Sequence, residues 1–208
     1  MSGDFLYQNF QKIVPGGVSR ETFTRLEEYV SLLLKWQKKI NLISDSTIPD
    51  VWARHILDST QLISHIHPDQ RVADLGSGAG LPGIILSILG IKNVTLVESD
   101  MRKVAFLREA ARVTNTHISI SNNRVETILL DEVDVITARG FAPLEKIFSM
   151  LGENLTPRHK MVLLKGREYE KEIAEARANW HFDYKKIHSI TDNNSAILII
   201  ENIYKTKD

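Results

Sequence analysis

The sequence predicts an α/β protein: a doubly wound, largely parallel sheet preceded by a helical section. Two observations carry this prediction. From Arg71 onward, short apolar runs alternate with helical patterns, beginning with RVADL, PGIILSIL, VTLVE and MRKVAFLREAARV. Strands that are apolar throughout and separated by helices form parallel sheets with both faces buried. The first 66 residues carry helical periodicity instead.

The N-terminal section is predicted to be a helical cap. Between Phe23 and Ile40 the apolar residues fall three or four apart, which is the period of a helix with one buried face. Ser19 is a suitable N-cap for this helix, and a shorter helical pattern, VWARHILDSTQLI, follows it. No linker separates this section from the rest. We therefore expect a cap over residues 1–66, packed on a Rossmann-like domain over residues 67–208.

The end of the chain predicts an antiparallel hairpin. The segments FDYKKIHSI and SAILIIENI have strand character and flank TDNN, in which Asn193 and Asn194 supply the turn. The last strands of the sheet are therefore expected to run antiparallel.

Composition limits the functional classes. The 208 residues include no cysteine, which excludes disulfides and thiolate metal sites. Lys plus Arg and Asp plus Glu both number 26, whereas proteins that grip bare nucleic acid are usually strongly basic. Basic residues cluster locally in 101–124 and 160–167, as in an RNA-binding surface or a solvated edge. We see no signal peptide and no run of roughly 20 apolar residues, so a cytoplasmic protein without a membrane partner is expected.

A glycine-rich loop follows the first predicted strand. The segment DLGSGAGLPGI lies between that strand and a predicted helix, which is the context of a nucleotide-binding loop. Gly76-x-Gly78-x-Gly80 has the spacing of methyltransferases, and Gly78-x-Gly80-x-x-Gly83 that of dinucleotide-binding proteins. Asp74, at the end of the strand, would repel a pyrophosphate but favour a cofactor that carries an ammonium and a sulfonium.

Glu98 ends the second predicted strand, where a carboxylate can accept hydrogen bonds from both ribose hydroxyls of an adenosine. That contact suits NAD and S-adenosylmethionine equally. The structural alternative is a tight turn with two surface acids. We expect Gly76, Gly78, Gly80 and Glu98 to bind an adenosyl cofactor.

Two further motifs follow the third and fourth strands, at the edge where such sheets bind ligands. In NRVE, Val125 is placed to pack on an adenine and Glu126 to hydrogen-bond to it, although an exposed glutamate at a helix start is the simpler interpretation of Glu126 alone. In ARGF, the planar fork of Arg139 suits a carboxylate, a phosphate or a base edge, and equally a salt bridge to a nearby acid.

Six segments, in this order, resemble the glucose-inhibited division protein B family: WQKKINLIS, RHILDS, DLGSGAGLPGI, NRVE, ITARGFA and LLKG. Members of that family are guanine-N7 methyltransferases of the small-subunit (16S) ribosomal RNA, and the similarity runs from about Leu32 to the final hairpin. The resemblance implies a class I S-adenosylmethionine-dependent fold. The residues that it places against the cofactor are Gly76, Leu81, Val125, Glu126 and Arg139.

The sequence departs from the family pattern at two positions. Glu98 stands where the family often has Asp, and the longer side chain is still expected to reach a ribose. The family's fourth-strand motif often reads Ser-Arg-Ala, whereas this chain has Ala138, Arg139 and Gly140. The role of Arg139 is carried over, and Gly140 is expected to loosen the local backbone.

Methylation of guanine N7 needs no general base, because N7 carries a lone pair and no proton. Catalysis then rests on holding the base in line with the sulfonium methyl, and the sequence shows no Ser-His-Asp or Cys-His arrangement and no metal cluster. Arg139 is the candidate catalytic residue, and Asn41, Arg54 and His55 are candidates for substrate binding, with Arg54 also paired to Asp58 at helical i,i+4 spacing. The expected partner is 16S RNA or the small subunit, bound by a monomer.

Three alternatives stay open at this point. One is a class I methyltransferase with another substrate. Another is a non-catalytic nucleotide-binding module that associates with the ribosome. The third, an NAD-dependent oxidoreductase, is disfavoured by Asp74 and by the lack of a hydride-site His or Tyr motif.

Overall fold

The computed structural model describes residues 3–206, and seven strands in this part of the chain form one sheet. They are β1 (Arg71–Leu75), β2 (Asn93–Val97), β3 (Ile118–Ser121), β4 (Val135–Arg139), β5 (Lys160–Lys165), β6 (Trp180–His188) and β7 (Ala196–Lys205). Their order across the sheet is β3-β2-β1-β4-β5-β7-β6. The first five pair in parallel, and β7 runs antiparallel to both β5 and β6. The predicted α/β class with a C-terminal hairpin is confirmed, with β7 alone reversed.

Helices connect and cover these strands. They are α1 (Gly3–Ile13), α2 (Arg20–Gln37), α3 (Asp58–Thr60), α4 (Gly83–Ile88), α5 (Met101–Val113), α6 (Leu144–Leu151) and α7 (Tyr169–Ala176). Short 3-10 turns occupy Asp45–Asp50, Gln61–His65, Val125–Thr127 and Gly152–Asn154, and a π-helical turn, Trp52–Leu57, runs into α3. No helix in residues 3–206 is both long and apolar enough to cross a bilayer.

Buried side chains form two cores, one on each face of the sheet. Helices α1, α2, α4 and α5 cover the first core, and α6 and α7 cover the second. In β5 the side chains alternate, as strand geometry requires: Val162 and Leu164 join the first core, Met161 and Leu163 the second. Both faces of β1, β4 and β5 are therefore buried, which explains their apolar sequences, whereas the edge strand β3 (ISIS) alternates with serine and is only partly buried.

The N-terminal section shares the first core with the sheet. Ser19 caps α2 as predicted, with its hydroxyl accepting from the backbone N–H of Thr22 at 3.0 Å. The buried face of α2 includes Phe23 and Leu26, which belong to the same core as Ile84 of α4. The cap therefore packs on α4 and α5, the helices that cover this face of the sheet, while the boundary at residue 66 stays a prediction.

Candidate cofactor and substrate site

The glycine loop leaves β1 in a conformation that side chains resist. Gly76, Gly78 and Gly80 have φ values of 60°, 55° and 80°, in the left-handed region that glycine adopts without strain. A Cβ at Gly76 would also collide with the ring of Phe141, which lies beyond the end of β4. Gly80 is buried, whereas Gly76 and Gly78 are partly exposed. The accessible backbone of the loop is therefore at its first two glycines.

The carboxylate of Asp74 is fully buried and holds the loop from below. One oxygen accepts from the backbone N–H of Gly83 at 3.1 Å, and the other from the hydroxyl of Thr137 at 3.0 Å. Burial raises the pKa of Asp74 to about 7, although these two hydrogen bonds act in the opposite direction and lower it. The carboxylate joins the start of α4 to β4, so it points into the protein rather than towards a ligand.

Glu98 fastens the exposed side of the same loop. Its Oε2 accepts from the N–H of Gly78 at 2.9 Å, and its Oε1 from the N–H of Asp100 at 2.8 Å. Each carboxylate oxygen has a second lone pair, so the group keeps acceptor capacity. Because Glu98 is 7% exposed and Asp74 is buried, the alternative interpretation as two surface acids is wrong.

A contact that the sequence analysis missed ties the loop to the N-terminal cap. The hydroxyl of Tyr29, in the middle of α2, donates to the carbonyl of Ala79 at 2.6 Å, and the side chain is fully buried. Burial raises the pKa of Tyr29 above its ordinary value, so the hydroxyl stays a donor. The only signal in the sequence is a tyrosine among the apolar residues that face the core.

Arg139, at the end of β4, is held by the segment that carries RHILDS. Its Nη2 donates to Nδ1 of His55 at 2.6 Å, and its Nη1 donates to the carbonyl of Arg54 at 3.2 Å. The carboxylate of Asp58 lies 3.7 Å from Nη1. The buried Nε has no hydrogen-bond partner among the described residues. Three contacts thus fix the guanidinium, and at least two of its five N–H donors, that of Nε among them, have no partner within residues 3–206.

This geometry assigns the tautomer of His55. Because an arginine has no acceptor, Nδ1 of His55 must be unprotonated, and the proton sits on Nε2. Nε2 lies 2.7 Å from Oγ1 of Thr47 and donates to it; Thr47 in turn donates to the carbonyl of Ser44 at 2.7 Å. Burial and the charges of Arg139 and Arg54 lower the pKa of His55 to about 3. His55 is therefore neutral, with its free lone pair already used by Arg139.

The predicted ion pair between Arg54 and Asp58 is replaced by two others. Arg54 pairs with Asp192 at 3.0 Å, and Asp58 with Arg139 at 3.7 Å. Burial raises the pKa of Asp58, while the hydroxyl of Thr191 donates to it at 2.8 Å. The β6–β7 connection supplies both Thr191 and Asp192, and so closes one side of the site.

A cavity of about 240 Å³ opens where β4 and β5 end. Arg54, His55 and Arg139 line it, as do Lys165 and Asp192, which the sequence analysis did not single out as site residues. The ammonium of Lys165 is buried, donates to the carbonyl of Ala142 and to Glu172 at 2.7 Å each, and has its pKa lowered by burial. A larger groove of about 770 Å³ lies over β1–β3 and holds none of the predicted site residues.

The remaining predicted residues lie outside this cavity. Leu81 is buried in the first core and Val125 in the second. Glu126 is exposed beside Val125, and Asn41 is exposed in the turn after α2. Their roles stay predictions. Within residues 3–206, no group of three or more His, Cys, Asp or Glu side chains is arranged to hold a metal ion.

The strand order, the glycine loop after β1 and the acid after β2 define a class I methyltransferase fold. The solved structure of MtNAS in complex with MTA and tNA has the same fold: its TM-score is 0.59 at 14% identity, over 96% of this chain and 75% of that chain. The model of the GidB family, described as rRNA small subunit methyltransferase G, matches residues 22–199. The chain belongs to this family and is therefore a methyltransferase.

Curated relatives from this family align with the chain over nearly their whole length. Ribosomal RNA small subunit methyltransferase G of Rickettsia prowazekii (strain Madrid E) is 46% identical over 189 residues, 90% of this chain and 98% of the relative. The protein of the same name in Paramagnetospirillum magneticum (strain ATCC 700264 / AMB-1) is 43% identical over 192 residues, 92% of this chain and 94% of the relative. Family membership confirms the resemblance seen in the sequence and does not favour the oxidoreductase or the non-catalytic module.

Proposed function

We propose that this protein transfers a methyl group from S-adenosylmethionine to N7 of one guanine in 16S RNA of the small ribosomal subunit, as a monomer in the cytoplasm. The observation that carries the proposal is the match of residues 22–199 to the family of rRNA small subunit methyltransferase G. The arrangement of the site supports it, because the glycine loop and Arg139 lie at the carboxyl ends of the neighbouring parallel strands β1 and β4.

The residues at this edge fit an adenosyl cofactor. Gly76 and Gly78 expose backbone next to Glu98, whose carboxylate keeps acceptor capacity for ribose hydroxyls. Val125 and Glu126 follow the neighbouring strand β3 and would hold the adenine, while the buried Gly80 and Leu81 shape the loop from beneath. When bound, S-adenosylmethionine supplies an electrophilic methyl group on its sulfonium.

The chain's own contribution is to bind and orient the guanine. The free lone pair of His55 is occupied by Arg139, so His55 is not available as a general base, which agrees with a reaction that requires none. Arg139 is held by His55, Asp58 and the Arg54 carbonyl, and its Nε donor is directed to no group of the described chain. Arg139 also lines the cavity, and we expect the donors of its terminal nitrogens that these contacts leave unused to bind an acceptor of the base or the cofactor. Rate acceleration then comes mainly from proximity and orientation.

The test is methylation of small subunits from cells that lack this gene. The subunits are incubated with the purified protein and labelled cofactor, and the RNA is cleaved chemically at N7-methylguanine. We expect label at one guanine, with most of it lost in Arg139→Ala and retained in Arg71→Ala. Arg71 is the matched control, since it is paired with acids but lies at the opposite end of the sheet. Absence of label despite cofactor binding would contradict the proposed substrate. Normal turnover of Arg139→Ala would contradict the proposed role of Arg139.

A further inference from the structure

A basic groove runs between α2 and α5, outside the site described above. Its volume is about 500 Å³. Four cationic side chains line it: Lys35 and Lys39 from the end of α2 and the turn that follows, and Arg108 and Arg112 from α5. They come from two parts of the sequence about 70 residues apart. For this reason the sequence pattern indicated only the basic cluster that includes α5.

The groove has an excess of positive charge. Glu109 is the one acidic residue that lines it, and its carboxylate accepts from Nε and Nη2 of Arg112 at 2.9 and 2.8 Å. Lys35, Lys39 and Arg108 are exposed, and no ion pair in residues 3–206 involves any of them. Because the whole chain has a formal charge of zero, this excess is local.

The groove leads to the edge of the sheet that carries the site. The two helices are antiparallel: Arg25, near the start of α2, donates to the carbonyls of Thr114 and Asn115 just beyond the end of α5. The end of α2 therefore lies beside the middle of α5, where the ring of Trp36 contacts that of Phe106. Helix α5 begins directly after the Glu98 loop. Arg108 is seven residues into α5, about 10 Å along the helix at 1.5 Å per residue.

The chain itself connects the groove to the substrate cavity. Past Lys39 the backbone turns at Leu42 and Ile43, whose N–H groups donate to the Gln37 side chain at 2.9 and 3.0 Å. It then enters the turn that holds Thr47 against His55. A single turn of the chain, from Lys39 to Thr47, therefore joins the groove to the cavity lining.

We propose that this groove binds the phosphate backbone of the substrate RNA, next to the nucleotide that enters the cavity; the inference rests on the proposed function. Four cations beside one acid, which is already paired with Arg112, leave a net positive charge that attracts phosphates whatever the base sequence. Half-buried Trp36 lies in the groove between the lysines and provides apolar surface for a base or ribose.

The test is the double charge reversal Lys35→Glu and Lys39→Glu. Its matched control is Lys171→Glu with Lys205→Glu, which changes net charge equally on α7, across the sheet, and at the last residue of β7. For each variant, binding to protein-free 16S RNA is measured over a salt series, together with cofactor affinity and methylation kinetics.

We expect the groove variant to lose about tenfold or more in RNA affinity and its salt slope to become shallower by about 1.4, as for two lost single-strand phosphate contacts at about 0.7 each. The KM for RNA rises, while cofactor affinity stays at the wild-type value. RNA affinity and slope equal to those of the control would overturn the inference. So would a defect seen with assembled subunits alone, since that points to an acidic protein partner. If the wild type binds RNA through the groove but methylates none, the proposed function fails and the groove assignment stands.

Discussion

The contact between Tyr29 and Ala79 predicts that the N-terminal cap sets the affinity for the cofactor. In Tyr29→Phe the ring still fills its place in the core, and the only loss is the hydroxyl that donates to the Ala79 carbonyl at 2.6 Å. Ala79 is 4% exposed, so water cannot readily replace that donor. The substitution therefore separates packing from loop anchoring.

The magnitude follows from the burial of both partners. A buried acceptor left without its donor costs about 1–3 kcal/mol, and we expect a loss of about 2 kcal/mol in the free energy of unfolding. The substitution loosens the loop that contains Gly76 and Gly78. A cofactor that binds there must order this loop again, so part of the lost free energy is subtracted from the free energy of cofactor binding. If about 1 kcal/mol is subtracted in this way, the dissociation constant for S-adenosylmethionine rises about fivefold.

Two measurements test this reasoning, urea unfolding and calorimetric titration with S-adenosylmethionine. The matched control is Tyr7→Phe, because the Tyr7 hydroxyl donates to the carbonyl of Val18 at 2.9 Å, in the N-terminal segment away from the loop. Both variants lose stability, and only Tyr29→Phe loses cofactor affinity. Wild-type affinity in Tyr29→Phe would refute the idea that this bond positions the loop.

Two further predictions concern the loop and the turn after β4. Because burial raises the pKa of Asp74 to about 7, its contribution to stability is complete below about pH 4 and is lost as pH rises to about 7, by about 4 kcal/mol. Asp74→Asn removes this part of the pH dependence in urea unfolding, and an unchanged profile would contradict the assignment. Gly140 has a φ of 59° with open space around a Cβ, so Gly140→Ala costs about 1 kcal/mol of backbone strain; a higher melting temperature would argue against that strain.

The sheet and the glycine loop were predictable from sequence because their signals are local. Apolar runs mark the buried strands, and a strand followed by glycines and a helix marks the loop. The expectation for Gly140 was only qualitative: the structure shows a left-handed turn directly after β4, which explains why glycine suits the position. Such features depend on a few neighbouring residues, so they can be predicted without knowledge of tertiary contacts.

The contacts that organise the site were not predictable in this way. Arg54 and Asp58 have the spacing of a helical pair, but each finds a partner more than 80 residues away, Asp192 and Arg139. The π-helical turn at Trp52–Leu57 also changes the angles between successive side chains, so i,i+4 spacing loses its usual meaning there. Long-range partners determine which ion pairs form here, because a buried charge without a partner is costly and local spacing alone does not supply one.

These contacts make the N-terminal cap part of the site rather than a cover for it. The cap supplies the hydroxyl of Tyr29 to the glycine loop, and His55 and Asp58 to Arg139. Each core-domain group involved would be left with an unsatisfied polar atom if the cap moved away, and the first core would lose its covering side chains from α2. The loop follows β1, and Arg139 ends the neighbouring strand β4. Asp74 and Glu98 hold the loop from within the sheet domain, and the cap adds a further contact to the loop and supplies those of Arg139. The cap therefore contacts both the glycine loop and the arginine that lines the cavity, and its displacement would disturb the two together.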